Sequence, residues 1–440
     1  MRVSVLVTFP QADGLRASAI EAFAAGAGGL VLEGAPDKGG LILDERFPAL
    51  PIPGATLAAI DLAAANPASA PLFVTRGTID VDRIGEAEGR EDGVGIFADP
   101  EIGAFTVCAG SPPLGTTVDV ARHLDVAALR AKGLDGKGVA VAVMDSGINI
   151  AHLRNRGLKA KFRSSLSWSP LRGGAAPGHH AIGHGTMCAY DALIAAPNAT
   201  LLDFPILTST RQGGNVMDGL LSNAILAYSY LLTRLSAPSW KFKGLVVNNS
   251  WGLYHSSWDF PAGHPGRYAN NPNHPFNLIV GTLSRAGADL LFSAGNCGSP
   301  CPDRRCQGVT ANTIVGANAH PDVMTIAGCD IHDVRAGYSS QGPGIAGMVH
   351  DKPDVTAYTH FLGSEAFGTG SPDSGTSAAS AVAAGCVAAM RTRLNSFAEP
   401  PPGLMSAFKA KANGVPVPGW NADYGCGIIR PLAVAAHYGL

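Results

Sequence analysis

The segment Gly138-Val139-Ala140-Val141-Ala142-Val143-Met144 constrains the fold more than any other. It is an unbroken run of β-branched and small apolar residues. A strand with one solvated face would alternate polar and apolar positions, so this run suits a central strand of a parallel sheet, covered on both faces. Leu245-Val246-Val247, Leu290-Leu291-Phe292 and Val323-Met324-Thr325-Ile326 have the same character. Helical periodicity lies between them, as in Val216 to Leu232. Strands alternating with helices predict an α/β domain of three layers with a mostly parallel sheet. In such sheets ligands bind beyond the carboxyl ends of the strands. The informative residues are therefore those that follow each run: Asp145-Ser146-Gly147, Asn248-Asn249-Ser250-Trp251-Gly252 and Ser293-Ala294-Gly295-Asn296.

Composition narrows the function classes. Hydrophobic residues make up 46% of the 440 and charged residues 15%, so the chain can bury a large core across two or three domains. The formal net charge is -2 and no long run of Lys or Arg occurs. Neither nucleic acid nor an anionic membrane is expected as a partner. No apolar run reaches the roughly eighteen residues of a transmembrane helix. The apolar start, Met1 to Pro10, stops too early for a secretory signal, and Val3 to Val7 reads as a strand. This reading favours a cytoplasmic protein.

Two further segments carry nucleophile chemistry or its imitation. Gly183-His184-Gly185-Thr186 precedes a helical run, Met187 to Ala196. A lone His there serves more often as a surface or capping residue. Gly375-Thr376-Ser377-Ala378-Ala379-Ser380 precedes a helix of small residues, Ala381 to Met390. Ser377 falls on its first turn, where a Ser can cap the helix or act as a nucleophile beside free N–H groups. Rival patterns fail. The segment lacks the second Gly of the hydrolase elbow, and position 380 is Ser rather than the Lys of a Ser-x-x-Lys enzyme.

Taken together these segments resemble the subtilisin-like serine peptidases, in which Asp, His and Ser follow one another in that order. Gly133-Leu134-Asp135-Gly136-Lys137-Gly138-Val139, Tyr338-Ser339-Ser340-Gln341-Gly342-Pro343, Lys352-Pro353-Asp354-Val355 and Asp423-Tyr424-Gly425-Cys426-Gly427 resemble non-catalytic segments of the family. The resemblance spans roughly residues 116 to 440. It implies a serine endopeptidase with Ser377 as nucleophile, His184 as general base, Asp145 orienting that base and Asn296 binding the oxyanion. It further implies that Ser250, Trp251 and Gly252 line the primary pocket. Gly213 and Gly214 would pair with substrate, though they also read as an ordinary turn. Met187 stands where the family has a second His, and Ala381 where it has Pro. Related acid peptidases keep that Pro and pair Ser with Glu and Asp, so His184 favours the His-based triad. A peptide ligase or macrocyclase, or a non-catalytic peptide-binding relative, would share these motifs. Catalysis of this kind requires no cofactor or metal. Structural calcium is common in the family, and no acidic loop in the sequence marks a site.

Residues 1–112 read as a smaller α+β domain ahead of a peptidase domain at 116–440, joined through Gly110 to Gly115. Strands at Leu72 to Thr75 and Val94 to Phe97 flank a helix at Asp80 to Glu88, and a second helix is expected at Thr56 to Ala65. Residues 71–107 resemble the family's propeptides, which implies an intramolecular inhibitor; an accessory domain that is never removed is equally open. Leu253 to Pro275 reads as an insertion, with His255, His264 and His274 expected to be solvated rather than metal-bound. Cys297, Cys301 and Cys306 fall short of four zinc ligands, and both a local disulfide and free thiols remain open. Cys108, Cys188, Cys329, Cys386 and Cys426 read as buried free thiols.

Overall fold

The computed structural model describes residues 2–10, 40–44, 46–52, 72–88, 95–104, 111–169, 175–208, 217–299, 301–416 and 418–440. An N-terminal unit supplies β1 (Arg2–Pro10), β2 (Ile42–Leu43), β3 (Leu50–Ile52), β4 (Leu72–Asp80), α1 (Ile84–Glu88) and β5 (Gly95–Ala98), followed by a short β6 (Glu101–Ala104). The larger part contributes β7 (Val139–Asp145), β8 (Lys161–Phe162), α2 (His184–Ala195), β9 (Thr200–Pro205), β10 (Asp218–Leu220), α3 (Leu221–Leu235), β11 (Gly244–Asn249) and β12 (Trp251–Gly252). It continues with α4 (Pro275–Arg285), β13 (Ala288–Ser293), β14 (Met324–Cys329), β15 (Val355–Tyr358) and α5 (Gly375–Arg391).

The three-layer α/β architecture expected from the apolar runs is present. Seven parallel strands lie in the order β15-β14-β13-β11-β7-β9-β8. β7 explains the sandwich. Val139, Val141 and Val143 join the core that contains α2 and α5, while Ala140, Ala142 and Met144 join the core that contains α3 and α4. Each face of one strand thus feeds a different layer, as its period of two requires. The small residues of α5 let it approach α2 backbone to backbone. A Cβ on Gly385 would sit 2.3 Å from the carbonyl oxygen of Ala192.

The N-terminal unit is an antiparallel sheet in the order β2-β4-β1-β5, with β3 also on β4. The strand–helix–strand expected at 72–97 exists, but β1 lies between its two strands, so the propeptide-like unit read at 71–107 needs the first ten residues as well. One face, with Leu6, Leu50, Ile52 and Val74, shares a continuous core with α3 and α4. The other, with Val5, Val7 and Ile79, closes over Ile84 and Ala87 of α1. Asp99 accepts the Ser222 N–H at 2.8 Å at the start of α3, an anion at the positive end of the helix. The helix expected at 56–65 and Cys108 lie outside the described residues.

Two expectations need correction. The helical run read from Val216 begins only at Leu221, because Asp218–Leu220 is drawn into an extended pairing with β6. His274 is not solvated. It is fully buried, accepts the Phe276 N–H at 3.3 Å on Nδ1 and so donates from Nε2 to the Ala98 carbonyl at 2.9 Å. Burial pushes its pKa down to about 3. His255 and His264 are half-buried and accept N–H groups of their own turns. No helix among the described residues is long and apolar enough to cross a membrane.

The last residue of α5, Arg391, is fully buried. It meets Asp289 of β13 through two parallel bonds of 2.6 Å, clipping the helix to the sheet. Arg391→Ala would strand the buried Asp289 charge. We expect it to lower the unfolding free energy by about 3–5 kcal/mol. Urea denaturation followed by tryptophan fluorescence checks this; a loss under about 1 kcal/mol would place the pair among surface-like bridges.

Candidate functional site

The residues singled out at strand ends converge at one edge of the sheet. Asp145, the last residue of β7, is buried and accepts the Ser146 N–H at 2.7 Å. Both its oxygens lie 2.9 Å from His184 Nδ1. His184 opens α2 rather than preceding it, and Gly185 behind it permits the contact: a Cβ there would meet the Gly147 carbonyl at 2.5 Å. The helix therefore sits directly on the Asp-Ser-Gly turn. Cys188, one turn further along α2, places Sγ 3.7 Å from Asp145 Oδ2 and 3.9 Å from His184 Nδ1, and shares a hydrogen bond with Ser250. Burial, with the Asp145 charge adding to it, holds the Cys188 thiol well above its ordinary pKa, so it stays a neutral S–H beneath the pair.

Ser377 lies in the first turn of α5 and is bound to Ser250 in both directions. Its Oγ donates to the Ser250 carbonyl at 3.3 Å, and Ser250 Oγ donates to the Ser377 carbonyl at 3.2 Å. Ser250 is braced in turn by Asn248, whose Nδ2 donates to Ser250 Oγ at 2.9 Å while its Oδ1 accepts from Ser380 Oγ at 2.9 Å. His184 Nε2 is buried and has no hydrogen-bond partner among the described residues. The Asp145–His184 bond is thus closed, and the Ser377 hydroxyl is turned toward Ser250. Asn296 also arrives here: its Oδ1 accepts from the Thr376 N–H and hydroxyl, each at 3.0 Å, which fixes which end of its amide remains a donor.

The residues expected to bind peptide divide. Ser250 meets Ser377 as just described. Trp251 is buried, with its ring packed edge-on against Phe292, so it contributes backbone rather than pocket wall. Trp251 and Gly252 pair antiparallel with Ala104 and Gly103. On its other side β6 pairs antiparallel with β10, Asp218 opposite Gly103 and Gly219 opposite Ile102. The Ala104 N–H donates to the Met217 carbonyl at 3.0 Å. Gly213 and Gly214 lie outside the described residues, and the edge observed on that side is β10. Asn318, which carried no sequence signal, supports the same wall by donating to the Trp251 and Ser293 carbonyls at 3.0 and 2.9 Å.

The cysteines resolve in part. Cys297 and Cys306 are joined as a disulfide, and Cys301 is also disulfide-bonded. Cys188, Cys329, Cys386 and Cys426 are free; the first three are buried, as expected, and Cys426 is half-buried.

Residues 136–427 match the model of the subtilase family. The chain belongs to that family of serine peptidases. A search of curated proteins returned no match.

A second acid lies behind the site. Asp191 of α2 is fully buried, and neither of its oxygens meets a donor among the described residues. It faces Asp373, four residues before Ser377, which accepts the Ser364 hydroxyl and N–H at 2.5 Å each. Two ionised carboxylates cannot bond to each other, so the contact needs a proton. Burial, and then the Asp373 charge, raises Asp191 well above the carboxylate range, and burial lifts Asp373 to about 6. Carboxyls that hold protons more tightly when folded stabilise the fold at low pH and lose that contribution as pH rises through their folded values. Asp191→Asn supplies a permanent donor to Asp373. Its melting temperature should therefore gain on the native protein as pH is raised from 4 to 9, by about 2–4 °C per kcal/mol recovered. Parallel melting curves across that range would show that the two acids do not share a proton.

Proposed function

We propose that the chain is an endopeptidase in which Ser377 attacks, His184 carries the proton, Asp145 holds the imidazole and Asn296 binds the oxyanion. We further propose that the N-terminal unit is its intramolecular inhibitor. The observation that carries both is β6, seated as the middle strand between β10 and β12 in the manner of a bound peptide. Its register points along the chain to the nucleophile. Gly252 pairs with Gly103 and Trp251 with Ala104, so the described ladder runs toward Ser250, the partner of Ser377, and ends one step short of it. The bond after Phe105 is the one this register offers.

A serine hydroxyl needs an adjacent base to become a nucleophile at neutral pH. Rotation about the Ser377 side chain hands Oγ from the Ser250 carbonyl to His184 Nε2. The proton moves to His184 as the Oγ–carbon bond forms, then passes to the departing amine as the carbon–nitrogen bond breaks; water reverses the steps to free the acyl group. Asp145 fixes the tautomer, since Nδ1 must carry its proton toward the carboxylate. The Ser377 N–H, in the first turn of α5, has no partner within the helix and can join the Asn296 amide in holding the oxyanion.

Intact-mass analysis tests the reading. The native chain is expected to yield a fragment beginning at Thr106, and Ser377→Ala to stay whole. A native chain that labels with a fluorophosphonate yet remains uncut would end the inhibitor reading. Asn296→Ala is expected to keep its far-UV spectrum and slow turnover by about 10²–10³, the loss measured when subtilisin itself is deprived of this donor. Turnover at the native rate would remove Asn296 from the oxyanion site.

A further inference from the structure

The insertion after Gly252 and the disulfide-closed loop after Asn296 meet over β6. Tyr254 comes from the first and Arg305 from the second, and both address one atom. Tyr254 Oη donates to the Ala104 carbonyl at 2.6 Å, and Arg305 Nη2 donates to it at 2.7 Å. Arg305 also donates to the Tyr254 hydroxyl and lies over its ring, with Cζ 3.8 Å from the centroid. The fork is held from two sides. Asp303 takes Nε at 3.2 Å and Nη2 at 3.0 Å, and Asp218 of β10 takes Nη1 at 3.2 Å. The Tyr254 ring packs against the Cys297–Cys306 bridge and Trp258, so neither side chain is a loose surface group.

The arrangement leaves no open space beside Gly103. A Cβ there would lie 2.6 Å from Asp218 Oδ1 and 2.9 Å from Arg305 Nη1, the two partners of the ion pair. Both side-chain ends would have to shift to admit it, loosening the Arg305–Asp218 pair. The same residues that grip one peptide carbonyl therefore disfavour a side chain at the preceding residue.

We propose that Arg305, Tyr254 and Asp218 form a specificity clamp. It binds the carbonyl of the second residue before the scissile bond and selects glycine at the third, so that the substrate class is an extended peptide bearing Gly-Xaa-Xaa before the cut. This rests on the reading of β6 as the occupant of the substrate cleft.

The test uses the full chain and two synthetic peptides, Glu-Ile-Gly-Ala-Phe-Thr-Val and Glu-Ile-Ala-Ala-Phe-Thr-Val, each supplied at about millimolar concentration so that it competes with the tethered β6. Cleavage after Phe is followed by mass spectrometry while a fluorophosphonate reports on Ser377. The native chain should cut the glycine peptide with kcat/KM at least about tenfold above the alanine peptide, a discrimination within the range of one steric contact. Arg305→Ala should bring the two within about twofold. Tyr254→Phe, which keeps the ring, should raise KM for the glycine peptide with kcat little altered. A chain whose Ser377 labels but which does not distinguish the peptides overturns the clamp, as does a folded Arg305→Ala that keeps the preference. An unreactive Ser377 with neither peptide cut overturns the peptidase reading beneath it.

Discussion

The backbone contact between α2 and α5 is the constraint on which the rest of the molecule depends. Each helix carries a candidate catalytic side chain in its first turn, His184 on one and Ser377 on the other. Helices ordinarily pack about 8–10 Å apart because side chains keep them separate. Here Gly385 meets the Ala192 carbonyl with no room for a methyl group, so the two starts are drawn close. The run Gly-Thr-Ser-Ala-Ala-Ser-Ala-Val-Ala-Ala-Gly is thus more than a weakly hydrophobic helix. Its smallness fixes the separation between an imidazole and a hydroxyl that lie far apart in sequence. The Arg391–Asp289 clip at the far end holds the same helix in register with the sheet.

Around that pair the molecule is built outward in layers. β7 delivers Asp145 from beneath, and the Asp-Ser-Gly turn is pressed by Gly185 into contact with the His helix. Asn248, Ser250 and Ser380 form a polar brace behind Ser377, every member paired, which is the condition under which a buried network rigidifies its surroundings. The N-terminal sheet then adds its own face to the core of α3 and α4, so the smaller unit is continuous with the larger one in apolar packing.

Much of this was written locally. β7, β11 and β13 are apolar runs whose polar ends could be read one after another, because a buried parallel strand has no other way to look. Asp145 and Asn296 stand at those ends and His184 and Ser377 at helix starts, and the resemblance to the subtilisin-like peptidases singled them out. What escaped depends on choices between distant partners. Val3 to Val7 reads as a strand by itself, but nothing in it says that β1 lies between β4 and β5. Thr200–Pro205 carries Asp203 and Pro205 in a short run and gives little strand signal, yet it pairs with Ala140 to Asp145 of β7. Three neighbouring cysteines permit several pairings, and only the folded loop selects Cys297 with Cys306. His274 looked like a loop residue because its two partners, the Phe276 N–H and the Ala98 carbonyl, belong to a helix start and to a strand from the other end of the chain.

The attachment of β6 has a kinetic consequence. Only Asp99 and Pro100 separate it from β5, and β5 belongs to a sheet anchored on α3 and α4. A segment held on so short a leash experiences an effective concentration on the order of millimolar at its receiving edges. A diffusing peptide at micromolar levels meets that rival at a disadvantage of roughly a thousandfold. Hydrolysis anywhere beyond Ala104 leaves the leash intact, since the tether lies on the amino-terminal side. On the inhibitor reading proposed above, entry of outside molecules would be governed by how often the small sheet lifts from α3 and α4, a matter of surface adhesion rather than of bond breaking.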